Sequence, residues 1–230
     1  MVARVLAGYG RIDVLVNNAG APGPIVALNE MTGADWHAVF ASNVDSVFYA
    51  VHEVLPCMMR NHYGRIINVS SSSLRNPPPL RAAYMASKAA VETLSFATSL
   101  SFAVSFLHLH SPPGILHSKS VAKEVGRYGI TVNCVAPSMV HTAMMQESIA
   151  RSANSAGRLI DDVSRELQAH SAVGRFCEVC SSIIFPTTTC PSHTQHNTQP
   201  EEVANAVVFL ASKESAVITG TVVEVNGCTL

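Results

Sequence analysis

Tyr84 and Lys88, in the run Tyr84-Met85-Ala86-Ser87-Lys88, stand four residues apart, a spacing that puts a phenol and an ammonium side by side on one face of a helix. The pair has a definite chemical use. A phenol with a pKa of about 10 is a weak acid–base group at neutral pH, and a fixed cation beside it favours the phenolate and eases proton transfer to or from a reacting oxygen. A lone pair of this kind arises often by chance and is explained by a solvated helix face. Here it has company. Upstream, an apolar run ends in Ser70-Ser71-Ser72-Ser73; an earlier run ends in Asn17-Asn18-Ala19-Gly20; a later one is stopped by Ala136-Pro137, with Thr142 just beyond.

Elements that could hold these groups together follow from the hydrophobic pattern. Residues 12–16, 64–69, 130–135 and 221–225 are short, nearly continuous apolar runs, the pattern of strands buried on both faces. Helix-length segments separate them. Residues 35–60 place Trp36, Val39, Phe40, Val44, Val47, Val51, Val54, Leu55 and Met58 at three- and four-residue intervals; residues 84–100 and 200–211 also read as helices, the last with Pro200 at its start and Glu201 and Glu202 in its first turn. Strands alternating with helices predict an α/β fold with a doubly wound parallel sheet in three layers, whose chemistry collects at the carboxyl edge of the strands.

The order Asn-Asn-Ala-Gly, serine cluster, Tyr-x-x-x-Lys, then Pro137 and Thr142 resembles the short-chain dehydrogenase/reductase family, and within it the 3-oxoacyl-acyl-carrier-protein reductases. The resemblance implies a Rossmann-like fold, NAD or NADP as cofactor, and interconversion of a ketone and a secondary alcohol without metal. It implies roles residue by residue. Tyr84 is the general acid or base, Lys88 lowers its pKa and holds the nicotinamide ribose, Ser71 at the family's thirteen-residue distance binds the substrate carbonyl, and Asn43 holds a proton-relay water. Asn17, Ala19 and Gly20 line the cofactor together with Tyr84 and Lys88, while Pro137, Val140 and Thr142 contact its nicotinamide end; the family's Pro-Gly is Pro137-Ser138 here. The partner implied is a small carbonyl or alcohol substrate, and the intact family form is a homo-oligomer built through the helix that begins near Asp35 and the helix that carries Tyr84.

Two expectations concern what departs from the family. The glycine-rich strand–turn–helix that cradles the pyrophosphate has no counterpart, since Gly8-Tyr9-Gly10 precedes a strand instead of following one, so residues 1–230 read as a single Rossmann-like domain lacking its first βαβαβ portion. Residues 101–121 and 177–198 break the rhythm, with one charged residue each, Lys119 and Glu178. Joining Leu100 to Ala122, or Phe176 to Gln199, restores a continuous family pattern, so both stretches read as retained non-coding sequence, with loop insertions as the competing reading. Cys177, Cys180, Cys190, His193 and His196 have spacings a zinc ion could accept, and are read as accidental clustering in a Ser/Thr/Pro-rich stretch; no metal is expected. The alternative to an active reductase is an inactive fragment or pseudoenzyme that keeps only an assembly role.

Composition narrows the class. Of 230 residues 48% are hydrophobic and 13% charged, with a net charge of -1, against about 25% charged in an ordinary domain. The balance carries no nucleic-acid footprint and no polybasic membrane anchor. No apolar stretch reaches the roughly 18 to 20 residues of a bilayer span; the nearest, residues 95–109, is broken by Thr98, Ser99, Ser101, Ser105 and His108. With no secretory signal at the start, the six cysteines read as reduced and the chain as cytoplasmic, or organellar if a targeting segment precedes it.

Overall fold

The structure, a computed structural model, describes residues 1–99, 125–138, 140, 142–163 and 199–226. The two stretches 101–121 and 177–198, with the Cys/His group of the second, lie outside the described residues. Helix α1 (Val2–Tyr9) passes through Gly10, at φ 75°, into strand β1 (Val14–Asn17). Helix α2 (Gly33–Phe40), a π-type turn (Ala41–Asp45) and helix α3 (Ser46–Asn61) form one nearly continuous rod. Strand β2 (Gly64–Val69) runs into the serines and a short 3-10 turn (Ser72–Leu74), and helix α4 (Ala82–Ser99) follows. Strand β3 (Ile130–Pro137), helix α5 (Ala143–Ala156), helix α6 (Pro200–Ala211) and strand β4 (Val222–Val225) complete the described chain.

The four strands pair in parallel in the order β1-β2-β3-β4. Their register puts Asn17, Asn68 and Cys134 in one row and sets Val69 beside Val135, so the carboxyl ends of the first three strands finish together. Successive residues of a strand face opposite sides, and β2 shows the result. Ile66 packs with Leu15, Val132, Val54 and Met58 under α3 and α4, whereas Ile67 packs with Val135 and Leu210 under α6. Helices therefore cover both faces of a parallel sheet, as the alternating pattern predicts. Fully burying an aliphatic side chain is worth about 1.5–3 kcal/mol, and these two clusters fix the strands whose ends carry the polar groups. Among the described residues β1 is an edge strand, and its Val14 and Val16 are exposed. No helix of the described residues is long and apolar enough to cross a membrane.

Two features depart from the sequence reading. The helix expected over residues 35–60 is interrupted by the π-type turn, where Ser46 donates its hydroxyl to the Ser42 carbonyl at 2.6 Å. The widened turn seats a polar residue, Asn43, in the interior at 1% exposure. The second is Arg65, inside an apolar strand and buried. It lies over the Tyr63 ring and donates to the carbonyls of Gly64, Gly129 and Ser212, tying three segments together at the amino end of the sheet.

Candidate functional site

Helix α4 carries Tyr84, Lys88 and Glu92 at successive turns, so the three side chains share one face. That face meets the end of β2. Tyr84 stands beside Ser71, whose side chain pulls the phenol's pKa down, and the Lys88 Nζ donates to the Val69 carbonyl at 2.7 Å, 5.8 Å from the Tyr84 ring centre. Ser71 is buried; its Oγ also accepts from the Ser73 N–H at 3.3 Å, closing the turn that follows the strand. The preceding residue, Ser70, takes its backbone N–H across to the Val135 carbonyl at 2.8 Å, which holds the serine segment against β3.

The second wall of the site comes from the segment after β1 and from the π-type turn. Asn43 accepts from the Ala21 N–H at 2.7 Å and donates to the Ala21 carbonyl at 3.0 Å and to the Ser87 hydroxyl at 2.9 Å. Both amide protons of the Asn43 side chain are committed to the protein, and it ties Ala21 to α4 through Ser87. Gly20 lies in this clamp. A Cβ built on it would fall 3.2 Å from the Asn43 Oδ1 and 3.5 Å from the Lys88 Nζ, so a side chain there would crowd the amide that makes the clamp. Replacing Asn43 by Ala strips partners from three buried or half-buried polar groups at once, and each such loss costs about 1–3 kcal/mol. Asn43→Ala should therefore lower the unfolding free energy, read from the urea midpoint and slope, by several kcal/mol, and a stability within about 1 kcal/mol of wild type would contradict the clamp.

A polar row runs beneath the site. Asn17, the last residue of β1, donates to the Asn68 Oδ1 at 2.7 Å; Asn68 and Cys134 both donate to the Ser95 Oγ, at 2.7 and 3.0 Å; Ser95 donates to the Val91 carbonyl. Burial pushes the Cys134 thiol up to about 12, so it acts as a neutral donor and not as a nucleophile. Ala19 is exposed and Gly20 half-buried. On the other side, buried Pro137 ends β3, with half-buried Val140 in a single bridge and Thr142 capping α5, its Oγ1 accepting from the Met145 N–H at 3.3 Å. Asn17, Ser71, Tyr84, Lys88 and Pro137 thus stand at or against the carboxyl ends of the three strands, the place where an open α/β sheet binds ligands.

Electrostatics here differ from the sequence expectation. Burial raises the Tyr84 phenol above its ordinary value of 10.0, and the groups that pull it down are the Ser71 hydrogen bond and the charge of Arg81. Lys88, expected to lower the phenol, is directed to the Val69 carbonyl. Its own pKa is held down to about 8 by burial, with the neighbouring Cys134 acting in the opposite sense. Three participants were not singled out by sequence: Arg81, Glu92 and Ser87. Glu92 was findable, because Tyr84, Lys88 and Glu92 repeat at four-residue intervals on one helix; Ser87 and Arg81 have no signal beyond lying next to Lys88 and Tyr84. Among the described residues no group of three or more His, Cys, Asp or Glu is placed to hold a metal ion.

Comparison with known proteins agrees with this geometry. The sequence model of the short chain dehydrogenase family matches residues 1–105, and that of the enoyl-(acyl carrier protein) reductase family matches residues 188–228. Over 227 residues, 99% of the chain, it is 32% identical to 3-oxoacyl-(acyl-carrier-protein) reductase FabG of Thermotoga maritima, covering 70% of that protein. It is 30% identical to the Escherichia coli FabG over the same length, again covering 70%. The crystal structure of actinorhodin polyketide ketoreductase with NADPH superposes with a TM-score of 0.74 at 28% identity, covering 98% of this chain and 70% of the ketoreductase. Sequence likeness along nearly the whole chain and a shared parallel α/β architecture lead to one assignment: the chain belongs to the short-chain dehydrogenase/reductase family and is by kind an oxidoreductase.

Proposed function

We propose that this chain interconverts a ketone and a secondary alcohol using NAD or NADP, with a 3-oxoacyl thioester as its preferred class of ketone. The observation that carries the reading is Tyr84 beside Ser71, one helical turn from a buried Lys88 that packs, with Asn43, against Gly20. The groups at Gly20 suit the nicotinamide end of the cofactor: an amide oxygen and an ammonium are a polar pair suited to a ribose, and a backbone without a side chain lets a ligand approach closely. Lys88, Tyr84, Asn17, Ala19 and Gly20 would hold the ribose side, and Pro137, Val140 and Thr142 the carboxamide side. When bound, the nicotinamide supplies or accepts the hydride.

The protein's own part is proton handling and orientation. Burial keeps Tyr84 protonated at neutral pH, so in the reducing direction its hydroxyl gives the proton to the carbonyl oxygen. The Ser71 hydroxyl, beside Tyr84, fixes the same oxygen from a second direction and limits the poses in which hydride and proton can both arrive. The Ser71 side chain and the Arg81 charge, which already pull the phenol's pKa down, stabilise the phenolate left behind, while Lys88, charged below about pH 8, holds the ribose. Asn43 holds Ala21, next to Gly20, in place. The names of the FabG relatives and the NADPH of the ketoreductase support the substrate and cofactor classes.

Purified protein should oxidise NADPH or NADH in the presence of acetoacetyl-CoA, seen as loss of the reduced-nicotinamide absorbance, and the rate should depend on both enzyme and ketone. Protein that binds neither reduced cofactor at millimolar concentration would instead be the non-catalytic alternative.

A further inference from the structure

Helix α4 grips the segment after β2 at three consecutive residues. Tyr84 stands beside the Ser71 side chain, Lys88 donates to the Val69 carbonyl, and between them the Ser70 hydroxyl donates to the Glu92 Oε1 at 2.7 Å. Glu92 is 7% exposed and held at both oxygens, because Arg75 places its Nη1 3.5 Å from the Oε2. Arg75 is itself oriented: its Nε donates to the Glu224 Oε1 at 2.7 Å, and the Asn226 amide donates to the Oε2 of Glu224 at 3.0 Å. The chain of contacts therefore ties α4, the serine segment and the end of β4 into one piece around Ser71. Burying a carboxylate is costly unless it is paired and hydrogen-bonded, and the partners that engage the two Glu92 oxygens are Ser70, next to Ser71, and Arg75, which closes the same turn.

We propose that Glu92 is a positioning residue for the reductase chemistry: through Ser70, and braced by Arg75 and Glu224, it sets where the Ser71 hydroxyl stands relative to Tyr84. Glu92 touches neither reacting oxygen. Its effect on turnover passes through the backbone between Ser70 and Ser71, whose turn is closed by the Leu74 N–H on the Ser71 carbonyl at 3.2 Å and the Arg75 N–H on the Ser72 carbonyl at 2.9 Å. The proposal rests on the roles given above to Tyr84 and Ser71, and the two are separable by experiment.

The test uses the full chain as wild type, Glu92→Ala, Glu92→Gln, Ser71→Ala and the Glu92→Ala/Ser71→Ala double variant. Amide hydrogen exchange, measured without cofactor, should be about tenfold faster at Leu74 and Arg75 in Glu92→Ala, with β2 and β3 unchanged. Glu92→Gln keeps an acceptor for Ser70 and should return both amides toward the wild-type rate. In turnover, Glu92→Ala should lower kcat about tenfold with the ketone KM within about twofold, and should cost nothing further once Ser71 is Ala, because both act through one group. Unchanged exchange at the two amides, faster exchange spread through the core strands, or a full second loss in the Ser71→Ala background would each overturn the proposal. Wild-type protein without ketone-dependent turnover would defeat the proposed function, and the exchange data would then decide the positioning role alone. Should Glu92→Ala fail to fold, Ser70→Ala removes the same contact from the other side, and the same exchange result is expected.

Discussion

Tyr84→Phe should lower turnover about a thousandfold while leaving NADPH binding within about a factor of three. The substitution deletes one oxygen and keeps the ring, so the packing of α4 on the sheet is retained and any loss belongs to the hydroxyl. That hydroxyl stands beside Ser71 at the carboxyl ends of the strands. Because burial keeps the phenol above 10.0, the protonated form predominates at neutral pH and is the form a ketone requires. Alcohol oxidation needs the phenolate instead, so its rate should climb as pH rises through the alkaline range, whereas reduction should not. Ser71→Ala, which leaves the proton donor in place and removes one orienting bond, should cost less than Tyr84→Phe. Steady-state kinetics with cofactor fluorescence titration checks each point; turnover of Tyr84→Phe within tenfold of wild type would remove Tyr84 from the proton-transfer step.

How far these residues were legible in the sequence depended on whether their signals were local. The four strands and the helix with Tyr84 and Lys88 follow from apolar runs and four-residue spacing, and the structure places them at Val14–Asn17, Gly64–Val69, Ile130–Pro137, Val222–Val225 and Ala82–Ser99. The π-type turn at Ala41–Asp45 left no mark, because Val39, Val44 and Val47 keep a helical rhythm whether or not one turn is widened. Arg65 within a strand reads as an error until Gly129 and Ser212, distant in sequence, bring it their carbonyls. The phenol's pKa is tertiary in the same sense. Spacing predicts that Lys88 lowers it, yet burial, which no local pattern records, raises it, and Lys88 spends its proton on Val69. Local spacing thus pairs Tyr84 with Lys88, and long-range packing sets the phenol's pKa.

Lys88→Met carries the other large effect, and it divides into rate and stability. In turnover, losing the cation beside the phenolate and the ribose should cost about a hundredfold or more. Stability should change in a way that depends on pH. A lysine buried to 5% exposure has its pKa lowered from 10.5 to about 8, so the fold favours the neutral amine. Below about pH 8 the amine is charged in both folded and unfolded chains, and the full cost of burying the charge is present. Between about pH 8 and 10.5 the unfolded chain still binds the proton while the folded one releases it, so wild type gains stability as pH rises through this window. The Met variant has no such group and gains nothing from it. Wild type should therefore improve relative to Lys88→Met by on the order of 3 kcal/mol between pH 7 and pH 10.5. Comparing the two proteins at each pH cancels the titration of every other group, so urea midpoints across the window read this lysine alone, and a constant difference would show that Lys88 is not held in a charge-opposing site. The same burial that costs stability at neutral pH keeps the ammonium out of water beside Gly20, where a charge acts most strongly on a neighbouring oxygen.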